Sequence, residues 1–309
     1  MESSKLLIYE LNEIPRKLID YYIEIKPNCS FKKIIDDGLI LNTLSNDEGE
    51  LHPWSTWPTV HRGVSNQKHN IRFINQDLTK SGIYPPIWEI LLKGGVDIGI
   101  FGSLQSYPPI EHKRVTFYLP DTFAPKPFAY PRELKNFQKF NLNLVGHNKA
   151  ISRNINTKQI LQFLGLKLRN TISNESFFKT FSHILKELFF PKYKIRRSLL
   201  QPVLSFDLYF KYLEKEKPRF STYFTNHLAG AMHRYWKHLF PKDFNLSSSE
   251  VNDFYAKSVI KAMDIADQQL GRLLKFCKKN NYDFWIISSM GQKAIDRGEY
   301  IPELILIDF

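Results

Sequence analysis

Short apolar runs alternate along this chain with longer stretches whose apolar positions recur at helical spacing. "KLLIYEL" (Lys5 to Leu11) reads as a strand and is followed by a helix with Pro15 in its first turn, a favoured place for proline. A second helix, "SFKKIIDDG", stops at Gly38, and "LILNTL" (Leu39 to Leu44) predicts another strand. "PPIWEILLKGG" (Pro85 to Gly95) has proline near its start and glycine at its end, the punctuation of a helix. "VDIGIFG" (Val96 to Gly102) and "RFSTYFTN" (Arg219 to Asn226) are further strands. A long helical pattern then opens at the serines before Glu250 and runs into the strand "DFWII", and "ELILIDF" closes the chain as a last apolar run. Strands separated by helices imply an α/β fold, a mostly parallel sheet covered by helices on both faces. Residues 104–218 break the alternation: a Pro-rich passage is followed by helical patterns interrupted at Gly165 and Pro191. This segment reads as a basic, mostly helical insertion or cap within a single domain spanning 1–309.

Charge sharpens that division. The formal net charge is +12. Between Lys149 and Arg219 fifteen Lys/Arg face five Asp/Glu, so nearly all the excess lies in the insertion. A basic face meets anionic partners, and "SHILKELFFPKYKIRRSLL" mixes apolar and basic residues as a membrane-surface segment does. No nucleic-acid-binding motif appears, which argues against nucleic acid as the partner. The 43% hydrophobic content supports a sizeable core. Two cysteines, Cys29 and Cys277, lack both disulfide-framework and zinc spacing. Without a signal-peptide pattern or an apolar run long enough to span a bilayer, the expected location is cytoplasmic, or peripheral to the membrane through the basic segment.

Candidate chemistry gathers where strands end, because ligands of open α/β sheets bind outside the carboxyl ends of the strands. The first strand ends in Glu10-Leu11-Asn12-Glu13, which suits a cation or polar substrate and equally suits capping of the next helix. In "LHPWSTWPTVHRGVSNQKHNI", Ser55 and Thr56 precede Pro58 and a helical stretch, placing a hydroxyl where backbone N–H groups could hold an anion. His61, Arg62, Lys68 and His69 follow closely and suit anion handling. "TNHLAGAMHRYW" carries Asn226 and His227 at a strand end and His233 on the following helix. "IISSMGQ" ends another strand in Ser288, Ser289, Met290, Gly291 and Gln292.

Four such features in this order resemble the alkaline phosphatase superfamily, particularly its type I phosphodiesterase/nucleotide pyrophosphatase and sulfatase-like branches. In that family the first strand ends in Leu-Asp-Gly; "LIYELNEIP" is similar, with Asn12 at the position of the metal-binding Asp. The nucleophile segment, Thr-Phe/Trp-Pro before a helix, resembles "STWPTVHRGVSNQKHNI" and implies Thr56 as nucleophile. Here the stretch to the "HNI" turn is shorter by about one helical turn, ~4 residues. The family's Asp-x-x-x-His falls on Ala229 and His233, and its Ser-Asp-His-Gly on "SSMG", with Ser289 and Met290 in place of Asp and His. The family's last histidine ligand lies well beyond that pair, whereas this chain ends nineteen residues after Met290, so the C-terminal part of the fold is expected to be missing.

The resemblance implies a hydrolase or transferase acting on a phosphate or sulfate ester. The departures argue against a two-zinc centre, since Asn12, Ala229, Ser289 and Met290 supply no formal negative charge for two dications. Three readings stand. In the first, Thr56 attacks and His233 or His227 takes its proton. Asn12, His61, Arg62, Asn226, Ser289 and Gln292 bind an anionic small-molecule or polysaccharide ester, and at most one divalent ion, zinc or manganese, sits among Glu10, Glu13, His227 and His233. In the second, the chain is an inactive family member holding an anionic ligand such as a sugar phosphate or polysaccharide. In the third, the basic insertion docks on an anionic membrane surface.

Overall fold

The computed structural model describes residues 4–74, 76–78, 83–145, 163–165 and 172–295. Its centre is a five-stranded sheet in the order β3-β2-β4-β1-β5: β1 (Lys5–Leu11), β2 (Ile98–Phe101), β3 (Val115–Leu119), β4 (Phe220–Thr225) and β5 (Tyr282–Ile287). Every pairing is parallel. The period-two alternation of β1 shows why the sheet needs cover on both sides. Leu7, Tyr9 and Leu11 enter the main core, whereas Leu6 and Ile8 pack with a second cluster on the other face.

The main core is closed by α1 (Arg16–Ile25), α2 (Ser30–Asp37), α6 (Lys135–Val145), α8 (Leu200–Glu216), α9 (His227–Leu239) and α10 (Asp253–Asn280). On the opposite face α5 (Ile87–Lys93) packs Trp88 into a cluster with Ile98 and Ile100 of β2, and α3 (Pro53–Arg62) lays Trp57 edge-on against Phe224 of β4. A short α4 (Asn66–His69) follows α3, and α7 (Asn174–Phe189) lies outside the sheet layers with a 3-10 stretch, Pro191–Leu199, after it. At β2 the backbone must be bare: a Cβ on Gly99 would meet the Phe117 ring at 2.3 Å. Among the described residues no helix is long and apolar enough to cross a membrane.

Three expectations change. "LILNTL" forms no strand; Leu39, Leu41 and Leu44 lie exposed. Both edges of β1 are taken by β4 and β5, so this apolar run has no adjacent edge to pair with there. Residues 104–218 are not one cap: β3 lies within them and pairs with β2, and α8 buries Leu204, Phe206, Tyr209 and Leu213 in the main core. Finally, the long helix begins at Asp253 rather than at the serines, because the Asn252 side chain accepts from the Phe254 and Tyr255 N–H groups and caps it. "ELILIDF" lies outside the described residues.

Register brings the chemistry together. Leu11 pairs with Thr225 and Glu10 with Ile287, so β1 and β4 end level and release Asn12 and Asn226 side by side, while β5 ends one residue earlier and releases Ser288 level with Leu11. The chain leaves β1 towards β2, beyond β4, and leaves β4 towards β5, beyond β1. Adjacent strands whose connections depart in opposite directions form a switch-point crevice, the usual ligand site of such sheets.

Candidate functional site

The crevice between β1 and β4 is bridged by side-chain amides. Asn12 Nδ2 donates to Asn226 Oδ1 at 2.7 Å and to Glu13 Oε1 at 3.3 Å, while Asn12 Oδ1 accepts from Trp57 Nε1 at 2.7 Å. Both polar ends of Asn12 are thereby engaged. Glu13, at the turn after β1, has φ 58°, left-handed backbone that costs a non-glycine residue about 1–2 kcal/mol. Its carboxylate is buried and accepts from His233 Nε2 at 2.8 Å, whereas the His233 side chain is 60% exposed. His233 stands on the second turn of α9, and its Nδ1 lies 3.3 Å from Gln292 Nε2. A buried carboxylate thus holds an exposed imidazole, with an amide at the imidazole's second nitrogen.

Thr56 of α3 meets Ser289, which follows β5, their hydroxyls 2.8 Å apart. Thr56 is not at the open end of its helix, as the S/T-x-P pattern suggested. His52 is the N-cap, and the backbone N–H groups of both Ser55 and Thr56 already donate to His52 O at 2.9 Å. Pro53 has no N–H, so the first turn of α3 offers only that of Trp54 to a bound anion; an oxyanion cradle of several helix N–H groups is not formed there. The Thr56 hydroxyl is itself buried and 3.2 Å from His52 O.

The remaining candidates lie elsewhere. His61 Nε2 donates to Glu10 Oε1 at 2.7 Å; both residues are buried on the sheet face beneath α3, and the imidazole is flanked by Trp57 and Trp88 with ring centroids 5.5 and 4.8 Å away. His61 therefore faces the sheet, not a ligand. One helical turn separates Trp57 from His61, and that spacing turns both inward. His69 is also buried: its Nδ1 accepts the Ile71 N–H and its Nε2 meets Thr59 Oγ1 at 2.9 Å. Burial pushes its pKa down to about 4, so the ring is neutral at pH 7 and attracts no anion. Arg62 hydrogen-bonds the Tyr84 carbonyl and lines a separate cavity of about 650 Å³ at the carboxyl ends of β2 and β3. Trp54, Trp88, Tyr118 and Asp121 share its wall, and burial pushes the Asp121 carboxyl up to about 6. Asp121 follows a strand that the proline-rich sequence had hidden, so no pattern pointed to it.

His227 sits at the strand end as expected but turns into the core. Its Nε2 donates to Ala262 O at 3.0 Å and its Nδ1 meets Thr225 Oγ1 at 2.7 Å. Burial holds its pKa down at about 4. The four proposed metal ligands are therefore divided: Glu10 with His61, Glu13 with His233, and His227 against α10. Among the described residues no group of three or more His, Cys, Asp or Glu side chains is placed to hold an ion. The donors at the family's metal positions do not fit a two-metal centre either. Asn12 is saturated by neutral and anionic neighbours, Ala229 and Met290 carry no oxygen donor in their side chains, and the Ser289 hydroxyl is engaged by Thr56.

Trp57 is the component that sequence reasoning overlooked. It stood in view within "STWP", but only the fold shows its indole N–H locking Asn12. Compared with family models, curated proteins and solved structures, the chain matches none.

Proposed function

We propose that the switch-point crevice is an ester-processing site, acting on a phosphate or sulfate ester as a hydrolase or transferase of the alkaline phosphatase class, without that class's metal pair. The observation that carries this reading is the Glu13–His233 pair, a buried carboxylate 2.8 Å from an exposed imidazole, at the same edge of the sheet where Ser289 after β5 meets the Thr56 hydroxyl. A carboxylate in that position fixes ring orientation and tautomer, placing the proton on Nε2 and leaving Nδ1, which the Gln292 amide faces at 3.3 Å, as the nitrogen that takes up a proton. In this reading Thr56 Oγ1 attacks the ester phosphorus. His233 receives the hydroxyl proton and returns it to the departing alcohol oxygen, so that the Thr56–O–P bond forms as the ester bond breaks. Glu13 residing at the family's glycine position with φ 58° accords with the same reading, since strain concentrates where it serves a site.

The crevice holds one carboxylate and at most one cation, His233, among its named side chains. A singly charged diester or sulfate ester is therefore better accommodated than a dianionic monoester. The test is turnover of aryl phosphodiester, sulfate-ester and phosphomonoester substrates by the wild type and Thr56→Ala. Diester or sulfate hydrolysis that falls at least about 100-fold in the variant supports the reading. Turnover unchanged in Thr56→Ala rejects it.

One observation favours ligand binding without turnover: the Thr56 hydroxyl is buried and occupied by Ser289 and His52 O. On that reading all three substrates stay intact, while a phosphodiester analogue binds wild type and Thr56→Ala alike.

A further inference from the structure

Surface helices bury their apolar side and show water their polar side. Helix α7 does the reverse. Its fully buried residues are Ser176, Thr180 and Glu187. Phe178, Phe181, Leu185, Leu188 and Phe189 are between 39% and 76% exposed. Their spacing of three, four, three and one makes a single stripe along a helix about 24 Å long. Phe190 extends the stripe past the helix end. Exposed apolar residues scattered singly need no explanation, but a contiguous stripe of this kind marks a contact surface.

The charges beside the stripe say what it contacts. Residues 174–199 hold six Lys/Arg against two Asp/Glu. One of those two acids, Glu187, is turned inward onto His183 and Arg197. The other, Glu175, pairs with Lys179 in the first turn. Lys186, next in sequence to Leu185, is exposed, and so is Lys192 just past Phe190, its ammonium 5.2 Å from the Phe254 ring. An apolar stripe edged by lysines is the pattern of a helix lying in the plane of an anionic bilayer, rings and leucines at the acyl boundary and ammonium groups at the phosphates. A second copy of the chain fits worse, because a two-fold contact would set the same lysines against each other.

We infer that α7 and the 3-10 stretch after it dock this protein on the surface of anionic membranes, independently of what the strand-end crevice does. The apolar side chains enter the interface, and Lys186 and Lys192 supply the preference for anionic lipid.

The test is co-sedimentation of the full chain with phosphatidylcholine vesicles and with vesicles that also carry phosphatidylglycerol. Binding is expected only to the second kind and is expected to fade as salt shortens the screening length from about 10 Å to about 3 Å. Phe178→Ser/Leu188→Ser/Phe189→Ser should weaken binding at least about tenfold. Because these side chains point outward, the thermal melt should hold. Lys186→Glu/Lys192→Glu, which leaves the stripe intact, should also lose the anionic preference. Failure to pellet with anionic vesicles, or binding unchanged in either variant, overturns the inference. So does a dimer in sedimentation equilibrium that the triple serine variant abolishes, since a second copy would then be the occupant.

Discussion

Two carboxylate–histidine pairs grow from the same strand end, three residues apart, and they have opposite surroundings. Glu10 and His61 are 2.7 Å apart, both buried, roofed by Trp57 and Trp88. Glu13 and His233 are 2.8 Å apart, with the carboxylate buried and the imidazole open. The alternation of β1 is the cause: Glu10 points to the sheet face beneath α3, whereas Glu13 lies past the strand in the turn at the crevice. Similar distances therefore carry different meanings. The first pair holds α3 to the sheet, and the second offers an oriented proton acceptor to solvent. What distinguishes an imidazole able to act from one that only holds is what covers it.

The comparison breaks most visibly in stability. His61→Ala leaves the Glu10 carboxylate buried without its partner, and among the described residues Glu10 Oε2 already has none. Loss of about 3 kcal/mol or more in urea unfolding is expected, the usual result of removing one member of a buried pair. A loss below about 1 kcal/mol would show that the pair is not structural.

A third imidazole sharpens the contrast because its two hydrogen-bond partners are neutral groups. His227 is bonded to Thr225 and the Ala262 carbonyl, and its folded pKa is lowered to about 4 against an ordinary value near 6.5. The unfolded chain therefore binds the proton first as pH falls. Its contribution to stability is full above about 6.5 and declines as pH drops towards 4. From pH 7 to pH 5 this residue alone should lower the unfolding free energy by about 2 kcal/mol. His69 acts with the same sign. Unfolding curves at the two pH values check the slope, and His227→Gln should flatten it.

The smallest expected effect is at Glu13. Glycine at this position relieves the left-handed backbone but removes the bond to His233, so the two changes offset each other to within about 1 kcal/mol of wild-type stability. Turnover, in contrast, should fall with the loss of ring orientation. A large loss of stability in Glu13→Gly would make the second pair as structural as the first.

Much of the fold was legible because periodicity reports burial directly: β1, β2 and β4 fall within the apolar runs read as strands, and β5 begins one residue before "DFWII". Edge strand β3 was not, since "VTFYL" is framed by prolines and reads as part of an irregular passage. "LILNTL" failed the other way: it is apolar, yet its leucines lie exposed outside the sheet, since apolar character alone does not place a segment at a strand edge. At the crevice, residue types and strand-end positions brought Asn12, Glu13, Thr56, Asn226, His233, Ser289 and Gln292 into view. Pairings could not be read, since they depend on which way each side chain leaves its element. His227 and His233 looked alike in sequence, yet one faces α10 and the other faces solvent.

The most direct test is the turnover of His233→Ala measured beside its unfolding curve, with an aryl phosphodiester or sulfate ester that the wild type cleaves. Stability within about 1 kcal/mol of wild type is expected, because the ring is largely exposed, together with a fall in kcat/KM of about 100-fold or more. Wild-type turnover in a folded His233→Ala would contradict it, and the strand-end crevice would then not be where the chemistry happens.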